Sequence, residues 1–241
     1  MIRPFLFAVL VIDAVVRTAA LATSVPFIED FIADAAAWRN GTGTADLEWA
    51  STGGRDGGSY ASGPLNFLSV TPDGTPLVAR AQEEWNSSSG AFAVNYIEEQ
   101  VQELRVWVRH DAPAPLTYFI RFSGPGNFPG AVAVHFAPVL PGAWTQIIVP
   151  IDPGNPQFVT FEGSSFPAVF SNVGHIQIGL FEPAPLAGRD LTAHFDVDKV
   201  ALLGGAPPAV PAVSSAGMAA LMLVLGAAIG LRFRRRRPSY C

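Results

Sequence analysis

Helical periodicity is nearly absent from the middle of this chain. Short apolar alternations, cut by Gly, Pro, Asn and Ser, take its place. Residues two apart on a strand share a face, so each alternation reads as a strand with one buried side. Candidate strands fall at 47–50, 66–70, 91–97, 103–109, 116–122, 131–136, 144–151, 175–181 and 194–203. In the fifth, Tyr118, Ile120 and Phe122 share a face; in the eighth, Ile176, Ile178 and Leu180 do. One or two helical turns are expected, at 32–38. Nine or so strands with this alternation predict an all-β fold, a two-sheet antiparallel jelly-roll β-sandwich, with its first and last strands adjacent in one sheet.

The two ends have a different composition. Ala212 to Leu231 carries no charge, and about 20 apolar residues suffice to cross a bilayer. Arg232 and Arg234 to Arg237 follow, and an excess of arginine marks the cytoplasmic side. At the other end, Arg3, an apolar core over 5–12 and Ala20-Leu21-Ala22 have the layout of a signal peptide, interrupted by Asp13 and Arg17. The resulting scheme is a signal peptide (1–22), the sandwich (23–204), a Pro/Gly-rich linker (205–211), a transmembrane segment (212–231) and a basic tail (232–241).

Val210, Pro211, Val213, Ser214, Gly217 and Met218, then the apolar run, then arginines including Arg234 and Arg235, stand in a set order. This order resembles the bacterial C-terminal sorting signals of the PEP-CTERM class, in the variant opening Val/Ile-Pro-x-Leu/Val-Ser-x-x-Gly-Met. Ala216 stands before the Gly, and the aromatic residue that often follows the Ser is missing. The resemblance implies recognition by an exosortase-type membrane peptidase, transient residence in the membrane, and delivery to the cell surface or beyond.

The chain has 15 basic and 20 acidic side chains. Seven of the basic ones (Arg3, Arg17 and the five tail arginines) and one acid (Asp13) lie in the end segments. The body therefore keeps 8 basic and 19 acidic groups, a net charge of −11. Such a surface repels nucleic acid. The one cysteine, Cys241, is in the tail, so the body forms no internal disulfide. Beyond the hydrophobic core, a metal ion is the remaining staple to consider.

Five landmarks in the body occur in a familiar order. They are Glu29-Asp30-Phe31 with Trp38; Trp49 followed by Gly53-Gly54, Gly57-Gly58 and Tyr60; a strand over 104–109; Trp144 leading to Val149-Pro150; and Asp198-Lys199-Val200-Ala201-Leu202. The order resembles the jelly-roll domains of laminin-B-like and carbohydrate-binding modules. The resemblance implies a structural calcium joining the first and last strands. Asp196, Asp198, Val200 and Leu202 alternate, so an inward Val200 and Leu202 pull Asp198, and Asp196 with it, inward. An inward carboxylate needs a cation or donors, and calcium takes six to eight oxygens. Glu29 and Asp30 are the expected partners. The plainer reading has Asp198 accepting backbone hydrogen bonds at a strand end, with Asp56 in a turn.

Sugar binding calls for flat rings beside polar groups. Trp38, Trp49, Trp107 and Trp144 sit at landmark or strand positions and read as core or half-buried. Trp85 sits in the polar loop 83–89, with Asn95 and Tyr96 on the following segment. These three form the candidate carbohydrate site, and Phe128 is a second candidate ring. A tryptophan folded over the sandwich edge is the competing reading of Trp85. No Gly-x-Ser-x-Gly or His-Glu-x-x-His is present, and the four histidines are scattered. A glycosidase needs a carboxylate pair, while the neighbours in Glu83-Glu84 and Glu98-Glu99 would point to opposite faces of a strand. The expectation is an exported, non-enzymatic β-sandwich making weak polysaccharide contact in an exopolysaccharide or biofilm setting. The alternatives are a structural surface protein without a small ligand and a glycoside hydrolase.

Overall fold

The computed structural model describes residues 25–181 and 184–204. The predicted signal peptide, linker, membrane segment, basic tail and all sorting residues lie outside the described residues. Among the described residues no helix is long and apolar enough to cross a membrane.

Among the described residues the strands are β1 (Phe27–Glu29), β2 (Arg39–Asn40), β3 (Glu48–Ala50), β4 (Tyr60–Asn66), β5 (Leu77–Gln82), β6 (Val101–His110), β7 (Leu116–Ser123), β8 (Gly130–Val139), β9 (Thr145–Pro150), β10 (Phe158–Thr160), β11 (His175–Phe181) and β12 (Thr192–Gly204). They form two six-stranded sheets. The first runs β3-β4-β12-β6-β9, with β1 also on β12; the second runs β10-β8-β7-β11-β5-β2. The first and last strands pair antiparallel, Phe27 opposite Leu202 and Glu29 opposite Val200.

The facing sides build the core. β6 gives Leu104, Val106 and Val108, β7 gives Tyr118, Ile120 and Phe122, and β11 gives Ile176, Ile178 and Leu180. Each fully buried side chain of this size stabilises by roughly 1.5–3 kcal/mol. Phe122, Phe158 and Phe170 close one end, with ring centres 5.2–6.2 Å apart.

Three predicted elements take other forms. The strand expected at 66–70 is a 3₁₀ turn over Phe67–Ser69, which Asn66 caps by accepting from the Leu68 amide at 2.8 Å. The strand lies just before it, in β4, where Gly63 and Pro64 mask the alternation; a Cβ on Gly63 would fall 2.7 Å from Leu47 Cδ2. The strand expected at 91–97 is a series of turns. The helix expected at 32–38 does not form, since Ala36 and Ala37 are left-handed (φ 49° and 55°). The helix of the described residues is α1 (Phe166–Phe170), started by Pro167 in its first turn.

β12 holds the most consequential irregularity. Ala193, Phe195 and Val197 enter the core, and so do Val200 and Leu202. The inward set changes from odd to even numbers because Lys199 adopts φ 45°. A residue inserted in this way shifts the pleat by one.

Candidate functional site

The slip at Lys199 corrects the expected placement of the acidic residues. Asp196 and Asp198 precede it, so they lie on the face opposite Phe195 and Val197, outside the core. Asp196 accepts from Ser62 Oγ at 2.6 Å and Arg109 Nε at 2.7 Å. Asp198 is 2% exposed and accepts from the Arg55 amide at 2.7 Å. Burial pushes its carboxyl above the usual range, while the Arg55 and Lys199 amides pull it down. Glu29 accepts from the Phe31 amide at 2.8 Å, and Asp30 from Lys199 Nζ at 3.2 Å. Asp30 and Asp198 therefore come near each other, while Glu29 and Asp196 are engaged elsewhere. Among the described residues no three His, Cys, Asp or Glu side chains form a group that could hold a metal ion.

The predicted carbohydrate trio is dispersed. Tyr96 is 1% exposed; it packs on Phe122 and Phe170 and donates its hydroxyl to the Phe92 carbonyl. It is a core residue, because the 91–97 segment turns inward beside α1 instead of running along a sheet. Asn95 spends its carbonyl on the amides of Ile97 and Glu98 and shapes that turn. Trp85 is half-buried, with the guanidiniums of Arg39 and Arg80 at 4.5 and 5.4 Å from its ring centre. β2 and β5 pair Arg39 with Arg80, which brings both cations to one place.

The outer face of the first sheet shows the same device twice more. Arg109 lies 5.1 Å from the Tyr60 ring and 4.5 Å from the Trp144 ring. Arg55 lies 4.2 Å from the Trp107 ring. A cleft of about 460 Å³ there is floored by Ser62, Asp196 and Arg109. Arg109 pairs with Asp196 there, Glu48 lies on the rim, and His194 Nδ1 lies 3.4 Å from Asp111 Oδ2. Trp49 is 42% exposed rather than core, at the free edge of β3, and donates Nε1 to the Phe31 carbonyl at 2.7 Å.

The outer face of the second sheet carries a groove of about 500 Å³ with a different character. Its floor is apolar: Leu77, Phe119, Val132, Val159 and Phe181. Val159 is 54% exposed and Phe181 37%, so the floor is open. Phe119 lies across the β11 backbone, since a Cβ on Gly179 would fall 2.2 Å from its Cζ. Beside this floor, Arg121 is a hub. It donates Nε to Glu162 Oε1 at 2.5 Å and Nη2 to Oε2 at 2.7 Å, and Nη1 to Asn127 Oδ1 at 2.9 Å and Gln177 Oε1 at 3.0 Å. Gln177 donates in turn to Asn127 at 3.0 Å. The bidentate pair fixes the guanidinium plane. Phe128 follows Asn127 in the same loop and is 62% exposed. Among the described residues, Glu162 is the carboxylate that lines this groove.

Sequence reasoning missed this groove. Arg121 stands in an otherwise apolar stretch, Tyr118-Phe119-Ile120-Arg121-Phe122, and a charge there on the face opposite the core was its available signal. Glu162 lies 41 positions away and has no such signal.

No family model and no curated protein sequence matches the chain. Several solved structures are similar to it in fold. One contains carbohydrate-binding and catalytic modules of an endo-1,4-β-D-xylanase from Clostridium thermocellum complexed with xylohexaose. It matches at 16% identity over 75% of this chain and 28% of that chain, TM-score 0.47. Another is the family 11 carbohydrate-binding module of a Clostridium thermocellum cellulosomal cellulase (12% identity, 77% and 98% covered, TM-score 0.43). A third is the L4b domain of human laminin α-2 (10% identity, 66% and 98% covered, TM-score 0.35).

Proposed function

We propose that this protein is an exported, non-catalytic β-sandwich that holds polysaccharide in the groove on the outer face of its second sheet. The observation that carries this reading is the exposed apolar pair Val159 and Phe181, backed by the buried Phe119 ring, beside the Arg121 hub. Ligand sites combine an apolar surface with a few fixed polar groups, and a sugar ring offers a C–H face to the former and hydroxyls to the latter. The Arg121–Glu162–Asn127–Gln177 network is already formed, so little side-chain ordering is required on binding. The export half of the reading rests on the sequence, namely the signal-peptide layout, the uncharged run 212–231 and the PEP-CTERM-like order, with an exosortase-type peptidase as the processing partner. Surface or matrix delivery follows from that signal and suits a role in exopolysaccharide or biofilm structure.

A glycan-array screen tests the binding. We expect polysaccharide fragments to bind the wild type and to be lost from Phe181→Ala together with Arg121→Gln. Equal binding by that double variant would remove the groove from the reading; no binding by the wild type to any glycan would favour the purely structural alternative. Mass spectrometry of the mature protein tests export. A secreted form retaining Arg234 and Arg235 would exclude processing of the sorting signal.

A further inference from the structure

Among the described residues that line the groove on the second sheet, Arg121 is the cation. A guanidinium has five N–H donors and no acceptor. All five are spent within the protein: Nε on Glu162 Oε1, Nη1 on Asn127 Oδ1 and Gln177 Oε1, and Nη2 on Glu162 Oε2 and, at 2.8 Å, the Asn127 carbonyl. Arg121 therefore has no donor left for a ligand, and the Glu162 carboxylate matches its charge. Strand register fixes the arrangement. Thr160, Val132, Arg121 and Gln177 stand opposite one another across β10, β8, β7 and β11.

Local structure holds Glu162 in place. Its backbone is left-handed, at a φ of 51° that L residues seldom adopt, and its amide donates to Thr160 Oγ1 at 2.9 Å. Strain of this kind persists where the surrounding structure over-determines it. A Cβ on Gly130 would overlap Glu162 Oε2 and lie 2.7 Å from Arg121 Nη2, so the ion pair fits against β8 only with glycine there. The Glu162 side chain is 24% exposed and that of Arg121 15%, so the carboxylate is the more open of the two charges. Each of its oxygens gives one lone pair to Arg121 and keeps one for a hydroxyl.

An anionic sugar finds neither a free Arg121 donor nor an unmatched cation here. Its carboxylate or sulfate would face the Glu162 carboxylate, on a body of net charge −11, and like charges brought together suppress binding. A hydroxyl meets no such cost. It can donate to Glu162, and Thr75, Thr160 and Asn127 add neutral polar groups to the lining. We propose that Glu162 is the charge filter of the groove: by occupying Arg121 while facing outward as a carboxylate, it admits uncharged sugar residues and turns away uronate or sulfated ones. This inference rests on the groove being the glycan site and gives Glu162 a role in its specificity.

The probes are neutral xylo-, gluco- and galacto-oligosaccharides, each beside a uronate-bearing counterpart of the same length. The readout is the ratio of neutral to uronate affinity for the full chain, for Glu162→Gln and for the double variant Arg121→Gln/Glu162→Gln. The wild type should favour the neutral member of a pair by about tenfold or more. Glu162→Gln removes the repelling charge and frees an Arg121 N–H, so its ratio should fall about tenfold, and added salt should reverse part of the fall by screening the freed cation. The double variant removes the carboxylate without freeing a cation, so its ratio should lie between the other two. A wild type that binds uronates as well as neutral sugars overturns the filter and leaves the groove as a glycan site; a wild type that binds neither overturns both. A Glu162→Gln ratio equal to that of the wild type also overturns the filter. Should Glu162→Gln fail to fold, the double variant decides: a ratio below the wild type's supports the inference, and an equal one overturns it.

Discussion

The two outer faces of the sandwich follow the same alternation and come out differently. On the first sheet, arginines cap the rings: Arg109 covers Tyr60 and Trp144, and Arg55 covers Trp107. On the second, the Arg121 guanidinium is turned along the sheet into Glu162, and the Phe181 and Phe128 rings stay exposed. A cation over a ring is attracted by the ring's quadrupole, so the first face satisfies itself. The second leaves apolar surface next to fixed polar groups. The difference teaches that counting aromatic residues does not locate a ligand face, because what lies over each ring decides. Trp85, capped by Arg39 and Arg80, belongs with the first kind although it stands beside the second sheet.

The comparison breaks most readily at Arg109. Arg109→Ala would strand Asp196, which is nearly buried, with Ser62 as its remaining side-chain donor. Removing one partner of a buried pair costs about 3 kcal/mol or more, and urea unfolding should show a loss of that size. Glycan binding to the folded fraction should not change; a parallel loss of affinity would make the first face a ligand site.

Gly179→Ala tests whether the groove floor depends on a missing side chain. Its Cβ would overlap the Phe119 ring, and overpacking of this kind costs roughly 1–3 kcal/mol. We expect a lower urea midpoint together with weaker glycan binding. An unchanged midpoint would mean that Phe119 moves aside freely.

Phe181→Ala should separate the two properties. The ring is more than a third exposed, so stability should change by no more than about 0.5 kcal/mol. Affinity for a bound oligosaccharide should fall about tenfold, equivalent to about 1.4 kcal/mol, as read by calorimetry. Trp144→Ala should not alter affinity.

The smallest effect concerns pH and the core beneath the first sheet. His110 is buried between Phe195 and Tyr118, and burial lowers its pKa, although the Val139 carbonyl opposes this. A depressed folded-state value means that its stabilising contribution is full above pH 6.5, its unfolded value, and is lost as pH falls through the folded value. The midpoint should therefore drop on acidification through that window, and His110→Gln should flatten the drop. A wild-type midpoint constant from pH 7 to pH 5 would contradict this.

Most of the strand set was legible. The stretches at 103–109, 116–122, 131–136, 144–151, 175–181 and 194–203 all coincide with β-strands, because a period of two with one buried side is a local property. Pairing of the first and last strands was also foreseen. The 91–97 segment failed because a short apolar run does not reveal the left-handed turns at Asn86, Ser88 and Ser89 just before it. Tyr96 left the candidate site for the same reason.

The sequence by itself determined where strands run, which of their residues face inward along an uninterrupted stretch, and that the body is acidic and without disulfides. Tertiary structure alone decided the sites. Asp-Lys-Val contains no glycine to announce that Lys199 turns left-handed, yet that one dihedral carries Asp196 and Asp198 to the opposite face from the one alternation assigns. Arg121 meets Glu162, and Arg39 meets Trp85, only because strand pairing folds distant segments together. Alternation is written in neighbours along the chain; the partner of a charge or a ring is set by the register between strands, which no local pattern specifies.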